Sequence, residues 1–301
     1  MEKENMGKML DQQYLWKDRI YPEGEKPEKL DLLVKGKRGK LFCTCFLSGG
    51  AGKHPAVVIC HGFPGNERNL DLAAALRRAG FHVITFHYSG SWGSEGEFSF
   101  RNCLEDIDTI LEMLAENTAI EADLRHVFLW GHSMGGFLSF HTLVRQSDEW
   151  RSEHQVPAPA CRVAGAVLAM PADFGLMVQL SEQDPAMKEE TMSLLKEGSD
   201  WLVGTSGDQL YREGAEYSED KKMERLFHYV KNVPILWISG LQDKLVPSEL
   251  MLDGIMKQAE EKGSGDFSRV DMDTDHMASD RRCQLAEVSA DWLIDECRKQ
   301  E

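Results

Sequence analysis

Gly131-His132-Ser133-Met134-Gly135-Gly136 is the stretch on which the reading of this chain turns. The apolar run His126–Trp130 precedes it and the helically spaced run Phe137–Val144 follows it, so the serine falls between a predicted strand and a predicted helix. A chain reversing that sharply needs glycine two positions either side of the serine, where a Cβ would block the passing backbone. Such a turn lifts the Ser133 hydroxyl above the edge of a sheet and aims the next N–H, that of Met134, at the same spot.

Outward from that turn, strand-like and helix-like segments alternate. Ala56–Cys60 is an apolar run bounded by Pro55 and Gly62, as expected of a strand buried on both faces. Leu70–Ala79 has helical spacing with Gly80 as its stop, Phe81–Phe86 reads as a strand and Leu104–Leu114 as an amphipathic helix. Beyond the turn come strands at Val163–Met170, Pro234–Ser239 and Phe267–Met272, with helices at Ser248–Glu260 and Cys283–Cys297. Leu32–Lys35 and Lys40–Leu47, separated by the turn residues 36–39, bring the strands to eight. The alternation predicts an α/β protein: a mostly parallel eight-stranded sheet with helices on both faces. Residues 1–30 read as a polar surface arm and 31–301 as one domain. At about 174–231 the alternation stops, and Met177, Leu180, Met187, Leu194, Leu195, Trp201 and Leu202 recur at helical intervals. An insertion that long predicts a helical lid. Gly49-Gly50-Ala51-Gly52-Lys53 imitates a phosphate-binding loop, but residue 47 is Leu and His54 follows the lysine, so it reads as a flexible hairpin-like connection.

The 301 residues carry 34 Lys+Arg against 50 Asp+Glu, a net charge of −16, which argues against a nucleic-acid groove or an anionic-membrane binder. No run of about 18 apolar residues occurs, and the polar N-terminus lacks a signal-peptide core. Seven scattered cysteines, several in apolar runs, read as reduced thiols of a cytoplasmic protein. No CxxC or HExxH spacing suggests a metal, and no GxGxxG suggests a dinucleotide, so no cofactor is expected.

A serine needs a base and an orienting acid to attack anything. Asp243 lies in Gly240-Leu241-Gln242-Asp243-Lys244-Leu245-Val246-Pro247, directly after a predicted strand, and His276 lies in Asp273-Thr274-Asp275-His276-Met277, after the next one. Sites of open parallel sheets form at the carboxyl ends of the strands, so the three residues can converge. Ser133 is assigned as nucleophile, His276 as general base and then acid, and Asp243 as orienter, with Asp173 as the rival acid. Of the ten histidines, only His276 follows the acid in a loop after a strand. His61-Gly62-Phe63-Pro64-Gly65-Asn66 follows another strand and offers the Phe63 N–H opposite that of Met134 as an oxyanion hole; Pro64 has no N–H to give.

Over residues 30 to 300 the chain resembles the α/β-hydrolase family, on the loop at His61–Phe63, the turn at Gly131–Gly135, Asp243 in GLQDKLVP and His276 in DTDHM. The segment from Phe86 to Ser99 looks like the loop after the fourth strand of bacterial esterases and serine aminopeptidase-like members, with Ser89 and Trp92 standing where those carry Arg and His. The loop at His61–Asn66 is similar to the HGF-x-x-N loop of cinnamoyl (feruloyl) esterases. The resemblance implies an enzyme cleaving small-molecule carboxylic esters through an acyl-enzyme. An amidase or aminopeptidase-like activity, using Glu95, Glu97 or Asp173 to hold an amine, is the alternative, and a non-catalytic binding protein of this fold is a distant third. Trp92 and Trp201 are candidate substrate contacts. Oligomeric state is not legible in the sequence.

Overall fold

A computed structural model describes residues 9–218, 221–262 and 266–299. Its eight strands are β1 (Glu28–Gly36), β2 (Gly39–Leu47), β3 (His54–Cys60), β4 (His82–Phe86), β5 (Ala122–His132), β6 (Gly165–Ala169), β7 (Ile235–Gly240) and β8 (Phe267–Met272). They form one sheet in the order β1-β2-β4-β3-β5-β6-β7-β8. The pairs from β4 to β8 are parallel, while β2 runs antiparallel to both β1 and β4. β3, β4, β6 and β7 are buried at every position, which is why they read as unbroken apolar runs rather than alternating ones.

Successive residues of a strand point to opposite faces, and the sheet accordingly separates two cores. Val57, Ile59, Phe128 and Trp130 pack with helix α1 (Leu70–Ala79) and the last helix, Arg282–Lys299, on one side. Val58, Cys60, Val127 and Leu129 pack with α2 (Phe100–Glu116) and α3 (Met134–Gln146) on the other. Leu10 and Leu15 are buried in the first core, and Arg78 donates to the Leu15 carbonyl, so part of the N-terminal segment is docked on α1.

The structure departs from the sequence reading at several points. Residues 48–53 are not a hairpin: β2 pairs with β1 and β4, while β3 pairs with β4 and β5, so this segment carries the chain past β4. Gly50 N–H donates to the Glu25 carbonyl at 2.9 Å, which fixes the crossing. A short helix, α4 (Asp148–His154), was unforeseen because Trp150 is its one large apolar residue and sets no period; the Ser147 hydroxyl caps it by accepting from Trp150 N–H. β1 starts at Glu28 rather than Leu32, an exposed edge strand whose first four residues bury nothing.

Between β6 and β7 the insertion folds as α5 (Phe174–Ser181), α6 (Pro185–Ser199), α7 (Gly207–Glu216) and the one-turn α8 (Met223–Leu226). Asp184 caps α6, with Pro185 opening the helix where its missing N–H costs nothing.

His61, His82, His87, His132 and His141 are all buried. Desolvation lowers the pKa of His61 to about 4 and of the other four to about 3. The unfolded chain protonates these rings below about 6.5, whereas the folded chain resists until 3–4. Unfolding therefore takes up protons in that window, and stability falls as pH drops through it. Tm is expected to decline steadily from pH 6.5 to 4.5; a flat Tm over that range would contradict the burial of neutral rings.

Candidate active site

Ser133 sits between β5 and α3 at φ 54° and ψ −118°, a strained conformation held by its neighbours. Its N–H donates to the Ala169 carbonyl at 2.9 Å, and its own carbonyl accepts from Gly136 and Ala172. The two flanking glycines are required on contact grounds. A Cβ on Gly135 would stand 1.8 Å from the Cys60 carbonyl oxygen, and one on Gly131 would stand 2.2 Å from that of Gly135.

The carboxyl ends of β7 and β8 lie side by side and deliver the other two groups. His276 Nδ1 is 2.6 Å from Asp243 Oδ2. Asp243 Oδ1 accepts from the N–H groups of Leu245 at 3.0 Å and Val246 at 2.8 Å, so the carboxylate is fully oriented and buried. With Nδ1 donating to Asp243, the ring keeps Nε2 free to accept a proton. Ser133 and His276 line one cavity of ≈ 310 Å³, along with Phe63, Met177, Leu194 and Leu245.

Loop 61–69 comes close to the serine turn: a Cβ on Gly62 would stand 3.2 Å from that of Ser133. Neither the Phe63 N–H nor the Met134 N–H donates to an acceptor among the described residues. Met134 opens α3, where unpaired N–H groups and the helix dipole favour negative charge. The arrangement has a histidine oriented by a carboxylate, a hydroxyl on a strained turn in the same cavity, an unpaired N–H on Phe63 of the lining, and another on Met134 directly after the serine. It can take a proton from a hydroxyl and stabilise an oxyanion.

Residues 52–199 match the model of the serine aminopeptidase S33 family. The chain belongs to the α/β-hydrolase superfamily. An uncharacterized 31.7 kDa protein from a traX-finO intergenic region of Escherichia coli is 40% identical over 93 residues, 28% of this chain and 30% of that protein. Lysophosphatidylserine lipase ABHD12 of Rattus norvegicus is 24% identical over 203 residues, 66% of this chain and 44% of the lipase. The chain thus spans less than half the length of either relative. An esterase of Pyrococcus furiosus shares the fold with a TM-score of 0.61 at 15% identity, over 92% of this chain and 94% of that one. Among the described residues, no helix is long and apolar enough to cross a membrane.

Not every residue singled out in the sequence faces the cavity. Trp92 and Trp201 stack on each other, with centroids 5.6 Å apart and planes at 17°, and neither lines it. Trp92 Nε1 donates to the Pro64 carbonyl at 2.8 Å, so the pair braces loop 61–69 from outside. Asp173 is buried as the cap of α5: its oxygens accept from Leu176 and Met223 N–H groups, and burial raises its pKa to about 6. It is thus a fastener of the insertion, with no bond to His276.

Two residues with a direct bearing on the site escaped the sequence reading. His132 Nε2 lies 2.7 Å from the His276 carbonyl, with burial lowering its pKa to about 3, so a neutral ring donates there and holds the His276 backbone. Arg282 bridges two loops: it donates to both Asp71 oxygens at 2.8 and 2.6 Å, to Asn69 Oδ1 at 2.9 Å and to the Met277 carbonyl at 3.1 Å. It thereby ties the loop carrying His276 to the end of loop 61–69.

Proposed function

We propose that the hydrolase cleaves carboxylic esters of apolar acyl groups through an acyl-enzyme on Ser133. Supporting this is the orientation of His276 by Asp243 beside Ser133 in one cavity. His276 Nε2 takes the hydroxyl proton as Ser133 attacks the carbonyl, and the Phe63 and Met134 N–H groups hold the oxyanion. His276 then protonates the leaving alcohol, and water repeats the sequence on the acyl-enzyme.

The walls favour an apolar acyl group. Met177, Leu194 and Leu245 line the Ser133 cavity and also a second space of ≈ 110 Å³ running toward Leu180, Met187 and Met251. Met adapts to varied chains, which suits such a passage. Esters also fit better than N-terminal amines. Glu95, Glu97 and Asp173 do not line the cavity. Glu67 does, but its carboxylate already accepts the Asn69 N–H at 2.5 Å.

The test is a panel of p-nitrophenyl esters of increasing chain length beside amino-acid arylamides. Turnover of esters through medium chain lengths with little arylamide cleavage is the expected outcome; the reverse ratio would move the assignment to the aminopeptidase-like reading. Leu194→Trp, filling the neck between the two spaces, is expected to cut kcat/KM for long acyl chains about tenfold or more while sparing acetate, since each lost methylene contact carries roughly 0.8 kcal/mol. Equal losses for all chain lengths would contradict an acyl passage there.

Arg282→Met removes the bridge between the His276 loop and loop 61–69 without touching substrate. A displacement of about 1 Å can cost about a hundredfold in rate. The expected result is a kcat lowered by about ten- to a hundredfold with KM nearly unchanged. An unaltered kcat in a folded variant would deny Arg282 this positioning role.

A further inference from the structure

Away from Ser133, a cavity of ≈ 530 Å³ opens between α2, α3, α4 and the segment following α7. His141 and Arg145 line it from the same face of α3, one turn apart. His141 is 5% exposed, and its Nε2 is buried with no partner among the described residues. Arg145 spends Nη2 on Asp108 at 2.7 Å, and its Nη1 is likewise buried without an acceptor. Burial, followed by the charges of Arg145 and Lys221, lowers the His141 pKa to about 3, so the ring is neutral and can donate from Nε2. Two neighbouring unsatisfied donors, one of them charged, are costly to leave in place and call for an acceptor with two oxygens.

The surroundings narrow the choice. Arg101, Arg145 and Lys221 line the cavity against Glu105 and Glu216, leaving one net positive charge. Glu216 is held by Arg101 at 2.9 Å and Glu105 by Arg38 at 2.6 Å, so both carboxylates are fixed nearby and disfavour a dianion such as a phosphate ester. Aromatic walls face the rest: Trp150 stacks on His154 at 4.1 Å, and Tyr217 stands edge-on to His141 at 5.1 Å and 78°. We propose that this cavity is a binding site for a small aromatic monocarboxylate, its carboxylate accepting from Arg145 Nη1 and His141 Nε2 and its ring lying against Trp150 and Tyr217. The assignment is independent of the chemistry at Ser133.

The test is calorimetric titration of the full chain with 4-hydroxybenzoate and with 4-hydroxybenzamide, for wild type, Arg145→Met, Trp150→Ala and Leu194→Trp. Saturable binding of the carboxylate at one site is expected, at least tenfold weaker for the amide and for Arg145→Met. Leu194→Trp, which narrows the Ser133 cavity where it meets the second space, leaves it unchanged. Trp150→Ala, on the short outer helix α4, is also expected to weaken binding, and it decides the matter if Arg145→Met does not fold. The proposal is overturned by absent saturation, by equal binding of acid and amide, by unaltered affinity in Arg145→Met or Trp150→Ala, or by loss of binding in Leu194→Trp, which would place the ligand beside Ser133.

Discussion

Alanine at Ser133 is expected to lower kcat for ester hydrolysis by about a millionfold, the scale seen when a serine hydrolase loses its nucleophile. The change deletes one oxygen from a residue whose backbone is fixed by bonds to Ala169, Gly136 and Ala172, so the fold has no reason to alter. Alanine tolerates φ 54° about as poorly as serine, which leaves Tm close to that of the parent. What activity remains comes from the oxyanion donors and from binding alone. Steady-state turnover of a p-nitrophenyl ester, with Tm as control, decides the matter: retention of more than about one part in a thousand in a folded variant would mean that Ser133 is not the attacking group.

The second large effect concerns Asp243. Its Oδ1 is committed to the Leu245 and Val246 N–H groups, so in Asp243→Asn the amide oxygen must stay there and the NH2 group must turn to His276. An NH2 facing Nδ1 forces that nitrogen to accept, which moves the ring proton to Nε2 and aims it at the hydroxyl that the ring should deprotonate. Geometry survives while the tautomer is wrong, and a loss on the order of ten-thousandfold in kcat is expected. The check is kcat across pH 5–10 with KM measured alongside. A variant within tenfold of wild type throughout would show that Asp243 does not set the tautomer of His276.

What the sequence displayed and what it concealed divide along physical lines. β3, β6 and β7 are buried on both faces, and their composition alone announces strands. The serine turn announces itself because its glycines are demanded by contacts within a few residues, as at Gly131 and Gly135. His276 and Asp243 were legible through their positions after strands. Arg282 was not: Asp71 and Asn69 lie more than two hundred residues away, and an arginine opening a helix carries no local mark of such a bond. His132 looked like a bystander because nothing in the sequence shows its ring meeting the His276 carbonyl. Trp92 and Trp201 drew attention as large aromatics, yet only the structure shows that each is the other's partner. Helix α4 carries no apolar period, so it left no trace to read.

Nucleophilic attack by Ser133 requires its oxygen to become covalently bound to the electrophile. Incubation with a fluorophosphonate ester, followed by intact-mass measurement and peptide mapping, addresses it directly. The expected result is a single stoichiometric adduct on Ser133, absent in Ser133→Ala and formed far more slowly in Asp243→Asn. Ester turnover by a protein that takes no adduct, or takes it on another residue, would contradict the assignment of Ser133 as nucleophile.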